Sequence, residues 1–256
     1  MFLFRRIIPY IAAFTTLVSF LLILNTSFVN IYWLLAANLI PLIFLAAVLW
    51  YLGGPLSKKE KIHFISLVVF FVLGGFLFIF FNTILIWNYA LAFLASLFVG
   101  FFTEHIFLYV WNPAAYEPYS IEYFSRALQY GILFLFSSFI FFIDIAGFSQ
   151  AIVIAAGSIL ALLSGVSFFL TQKINLKEYR PLLAALFLIF AQIFTVISFF
   201  PFDPKVSALI MTIAFYVFTG IVRQKFHRTE VMSRVQGYIV IGIASISLLL
   251  LTARWR

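Results

Sequence analysis

The residues best placed for chemistry are Asn88, Ala92, Ser96, Gly100 and Glu104, spaced four apart in one apolar stretch. On a helix that interval keeps neighbours on one face with a slow drift, and small residues there let a second helix approach closely. Glu104 continues this face, so the spacing sets its carboxylate toward protein and not toward lipid. Its place near the end of the stretch favours an anchoring role in a helix contact, and an ion or proton site is the competing reading. Gly157, Ala161 and Gly165 form a second stripe of small residues. That pattern predicts helix packing, either inside one bundle or between copies of the chain.

Further polar groups are isolated. Tyr130, Ser137 and Asp144 recur at intervals of seven, which stays on one helical face. Asp144 falls near the outer end of its stretch, where a carboxylate reaches water; at a span centre it would cost about 2.5–3.5 kcal/mol. Gln192 and Thr195 are placed to hydrogen-bond between helices. Pro41, close to Asn38, removes a backbone donor and crowds the carbonyl of Ala37, which predicts a kink. Glu104 and Arg126 flank the turn after Trp111. With Pro118 as the first helical residue beyond it, a rise of about 1.5 Å per residue sets the two charges at one depth. They are predicted to pair, with Glu122 and lipid phosphate competing for Arg126.

The segment between them, from Asn112 to Arg126, carries Glu117, Glu122 and several tyrosines. Tyr119, Tyr123, Arg126 and Tyr130 follow Pro118 at helical spacing, as in an interfacial lead-in with tyrosines at headgroup level. His63, His105 and His227 lie on different segments without HxxxH or ExxH spacing. No GxSxG, HExxH, Walker A or GxGxxG occurs. With no cysteine either, thiolate chemistry, iron–sulfur ligation and c-type haem are excluded. No metal, no cofactor and no catalytic residue is therefore expected.

The elements that carry these residues follow from composition. The 256 residues are 65% apolar and 9% charged, with a mean hydropathy of +1.17. A soluble domain of this size cannot hide so much apolar surface. That excludes a soluble enzyme, a disordered chain and a nucleic-acid-binding domain. Apolar runs near the roughly 20 residues that a bilayer requires predict an all-α polytopic bundle of about nine spans, or eight. They cover 7–24, 28–52, 62–81, 84–111, 127–145, 151–170, 181–200, 206–222 and 237–252. The last two are the shortest. No domain boundary interrupts the chain, so 1–256 is expected to form one integral membrane domain.

Charge placement predicts the orientation. A cytoplasmic N-terminus puts thirteen of the sixteen Lys and Arg residues inside, leaving Lys205, Arg254 and Arg256 outside. The net charge of +8 is then a topology signal, and the expected location is a prokaryotic cytoplasmic membrane.

Three functions fit. A small permease or transport component would use the polar line of the fourth and fifth spans and open a cavity to Glu104. A non-catalytic subunit or scaffold would have a solid core and a lateral face for another membrane protein or a second copy. A lipid-modifying enzyme would need clustered ligands, and Glu104, His105 and His63 are the nearest approach to them. The bilayer is a partner in all three, and no nucleic acid is expected.

The absence of native cysteine makes the topology directly testable. Ser57→Cys and Gln172→Cys should be shielded from an impermeant thiol reagent in intact cells, whereas Ser27→Cys should react. Labelling of either of the first two from outside would reverse the orientation.

Overall fold

A computed structural model of the chain describes residues 2–25, 31–145, 147–172, 179–200, 202–226 and 232–252. The Asn38 side chain, Ser27 and His227 lie outside what it describes. Nine α-helices are present among the described residues, with one 3₁₀ turn and no strand. They are α1 (Phe2–Asn25), α2 (Ile31–Leu52), α3 (Lys58–Phe81), α4 (Leu85–Trp111), α5 (Ser120–Ile145), α6 (Gln150–Thr171), α7 (Arg180–Ser198), α8 (Pro204–Phe226) and α9 (Met232–Thr252). Eight are long and apolar enough to cross a membrane. The described side chains of α2 contribute a shorter apolar helix, Leu39–Leu52. The two runs that look shortest in the sequence, 206–222 and 237–252, both belong to full-length helices. In a bilayer interior only a helix satisfies every backbone donor and acceptor within one segment, and long apolar runs without alternation fold that way.

Two compact units divide the chain, Met1–Ile132 and Leu133–Arg256. In the first, α1 packs against α4 and α2, and α3 packs against α2 and α4. Gly100 faces Ala13 of α1. A Cβ there would stand 3.0 Å from the Cβ of Ala13, tighter than ordinary contact between methyl groups. Phe20 of α1 lies against Phe76 of α3, ring centroids 4.8 Å apart, and its ring occupies the space that a side chain at Gly75 would need. Pro41 sits inside α2, which continues to Leu52.

In the second unit α6 packs on α7, and α8 on α9. Phe194 of α7 fills the space above Gly157, and Leu186 lies over Gly165. Phe141 of α5 stacks on Phe194 with centroids 5.0 Å apart. Tyr238 of α9 covers Gly220 of α8, while Val240, Ile241, Ile243, Leu248 and Leu251 of α9 remain exposed. Exposed aliphatic side chains on a spanning helix are the surface that acyl chains solvate.

The α4–α5 turn differs from expectation. Pro118 does not start α5. Tyr119 takes a positive φ of 66°, which no helical residue adopts, and α5 begins at Ser120. The Ser120 hydroxyl donates to the Glu117 carbonyl at 2.8 Å, a local bond of the kind that competes with helix continuation. The 3₁₀ turn Pro113–Ala115 occupies the start of the connection.

Close approach at small residues makes added volume costly. Gly100→Leu and Gly157→Leu should each destabilise their unit by about 1–3 kcal/mol, the usual range for overpacking. Thermal unfolding in detergent measures this, and a wild-type midpoint in both variants would refute the packing account.

Candidate functional site

The polar line of α4 resolves into separate tasks. Asn88 is buried, and its Nδ2 donates to the Asn82 carbonyl at 2.9 Å. The Asn82 Nδ2 donates to Asn88 Oδ1 at 2.7 Å and to the Ile84 carbonyl at 3.2 Å. The two amides thus close the α3–α4 turn, and Asn88 is engaged by its own neighbourhood. The sequence signal for this, an Asn between two apolar runs and six residues before Asn88, is visible only once the turn is known. Ala92 and Ser96 are buried, and the Ser96 hydroxyl donates to the Phe93 carbonyl at 3.2 Å. Glu104 is half-buried.

Beside it, the His105 Nδ1 lies 2.8 Å from the Phe101 carbonyl, and its ring is 4.4 Å from that of Phe124 on α5. His63 is buried in α3. No group of three His, Asp or Glu residues is arranged to hold a metal ion among the described residues. Arg126 turns along its own helix. Its Nε donates to the Glu122 backbone carbonyl at 3.2 Å, and its guanidinium sits 4.5 Å from the centroid of Tyr123. Both contacts lie within α5. Ile121 donates its backbone N–H to the Tyr116 hydroxyl at 3.3 Å, which ties the loop tyrosines to the start of α5.

The stripe of α6 is buried at Gly157, Ala161 and Gly165 against α7. Thr195 donates to the Ala191 carbonyl at 2.8 Å on its own helix, and Gln192 is exposed. The predicted interhelical bonds from this pair are replaced, for Thr195, by the i−4 carbonyl that every helix offers to a hydroxyl.

Asp144 stands apart. It lies in the last turn of α5 and lines an open cavity of about 400 Å³ together with Phe141, Ser198, Phe200, Phe202 and Ser207. Phe200 and Phe202 stack with centroids 5.3 Å apart and planes 14° apart. Two nearby polar groups are already engaged. Ser198 donates to the Thr195 carbonyl at 2.9 Å, and Asp203 Oδ1 accepts from the Lys205 N–H at 2.9 Å, capping α8. The cavity therefore offers a carboxylate at a wall of aromatic rings, which suits a cation with an apolar body. The lining residues Ser198, Phe199, Phe200, Phe202 and Ser207 were not singled out from the sequence. Their signal was there, as the aromatic-rich run Phe-Phe-Pro-Phe between two spans.

Residues 60–252 match the family DUF5656, described as a protein of unknown function. The match covers most of the chain, and the chain belongs to that family. It includes Asp144 and the cavity lining but neither α1 nor α2. No curated protein and no solved structure matches the chain.

The Asn82–Asn88 pair carries a direct expectation. Asn88→Leu removes two hydrogen bonds from Asn82 in a buried turn and should cost about 1–3 kcal/mol. Adding Asn82→Ala should recover part of that loss, since contacting residues are not additive. Strictly additive midpoints in thermal unfolding would show that the amides do not support each other.

Proposed function

We propose that this member of the DUF5656 family is a small permease or transport component whose solute binds at the Asp144 cavity. The family assignment supplies a multi-pass helical membrane protein of unknown function, and the finer reading rests on one observation. An open cavity of about 400 Å³ carries a carboxylate, Asp144, among aromatic rings at the end of a spanning helix. In a membrane segment a carboxylate is costly and tends to mark an ion or solute path. With the N-terminus inside, as the loop charges predict, the cavity opens outward. A cation with an apolar body would exchange its water for the carboxylate and for ring faces, each contact worth about 0.5–2 kcal/mol.

The scaffold reading draws on α9, whose aliphatic face stays exposed in its unit. Lipid covers such a face as well as a partner does, so α9 does not outweigh a built cavity. Glu104, the carboxylate favoured by sequence spacing, is not among the residues lining this cavity.

The test uses the full chain in proteoliposomes with benzyltrimethylammonium as the probe. Wild-type vesicles should take it up faster than empty ones, and Asp144→Asn should lower the rate about tenfold, equivalent to roughly 1.4 kcal/mol. The thermal midpoint reports whether that variant stays folded. Uptake equal to empty vesicles, or unchanged in a folded Asp144→Asn protein, would overturn the proposal.

A further inference from the structure

We infer that the first unit binds a phosphate group at the joined ends of α1, α2, α3 and α4, where the Arg5 guanidinium lies on Trp111. The Arg5 guanidinium carbon is 3.5 Å from the centroid of Trp111 and 5.7 Å from that of Tyr51. Trp111 is held in turn, because its indole N–H donates to the Leu52 carbonyl at 2.8 Å. A side chain at Gly54 would meet the indole at 2.8 Å, so the α2–α3 turn lies directly against the ring. On the same turn, Lys61 Nζ donates to the Gly54 carbonyl at 2.7 Å. Trp111 therefore touches both the Arg5 guanidinium and the turn that Lys61 binds.

Among the described residues no carboxylate pairs with Arg5. Arg5 Nε is buried and has no hydrogen-bond partner among the described residues. The acid of the first turn of α3 is committed elsewhere, since Glu60 Oε2 accepts from the Ser57 N–H at 3.1 Å and from its hydroxyl at 2.8 Å. Glu104 lies seven residues before Trp111 on α4, about 10 Å along the axis. Ring stacking stabilises a guanidinium over its face but leaves its edge donors unused, and a planar fork of donors matches two phosphate oxygens. Lys61 spends one of its three N–H donors on Gly54 and keeps the others. Trp50 and Tyr51 are exposed at the same end of α2, and such aromatics mark headgroup level in a bilayer. Phosphate is the anion present at that depth, carried by a lipid or by a soluble phosphoester.

Native mass spectrometry of the full chain in mild detergent tests this with dioleoylphosphatidylglycerol, dioleoylglycerol and glycerol 3-phosphate as probes. The phosphatidylglycerol should be retained and dioleoylglycerol lost. Arg5→Gln should lower retention at least about fivefold, while Arg180→Gln, on exposed Arg180 at the start of α7, should leave it unchanged. Displacement by millimolar glycerol 3-phosphate would assign the site to a soluble phosphoester. Retention despite it would assign the site to a lipid headgroup. Equal loss in the two variants, or none in Arg5→Gln, would overturn the inference. Should Arg5→Gln fail to fold, hydrogen exchange on the wild type decides. Phosphatidylglycerol, and not dioleoylglycerol, should slow the amides of residues 52–57, and unchanged exchange would overturn the site.

Discussion

Lipid gives helices no hydrophobic reason to touch, because an acyl chain solvates Leu as well as another Leu does. Everything that holds this protein together must then come from close van der Waals packing and from polar groups that find partners. The small residues decide where that packing occurs. Gly100 admits Ala13, Gly157 admits Phe194, Gly165 admits Leu186 and Gly220 admits Tyr238. In three of these pairs a large side chain enters the groove that a glycine leaves, so part of the abundant Phe and Leu content has a packing role.

Polar side chains inside the spans are largely consumed by the same requirement. Thr16, Thr103, Ser138, Ser158, Thr195, Thr212 and Thr219 each donate to the carbonyl four residues earlier. A hydroxyl satisfied in this way adds no interhelical specificity and lets the helix face an apolar neighbour. Two hydroxyls differ. Ser125 and Ser137 of α5 are buried with Oγ atoms that have no hydrogen-bond partner among the described residues. An unmet buried hydroxyl costs about 1–3 kcal/mol.

Helix positions were legible because hydrophobic runs end where the bilayer requires water-facing residues. The runs 62–81 and 84–111 lie close to α3 and α4. The start of α5 was legible from helical spacing beyond Pro118 and not from hydropathy, since the apolar run begins only at 127. The left-handed Tyr119 moves that start to Ser120. The Asn82–Asn88 pair, the cavity lining and the Arg5–Trp111 stack escaped for a related reason. Each joins residues from different elements, and no spacing rule reaches across a turn whose geometry is unknown. Trp111 is 59 residues from the carbonyl that fixes its ring.

The helix with the clearest polar pattern owes part of that pattern to packing. In α4 one member of the repeat of four, Gly100, lies against Ala13 of α1, and the buried amide of Asn88 closes a turn, so these two positions serve assembly. Pattern and packing share a cause here, since a helix that must approach another closely needs regular small residues. A binding site has no such need for regularity. It requires a charge that local structure has not already engaged, in a space that packing has not filled. Asp144 meets both conditions beside the cavity at the end of α5. Arg5 meets the first, because the rings that stack on it cannot neutralise it. Both lie near helix ends, where the desolvation cost of an ionic group is smallest and a ligand can arrive through water.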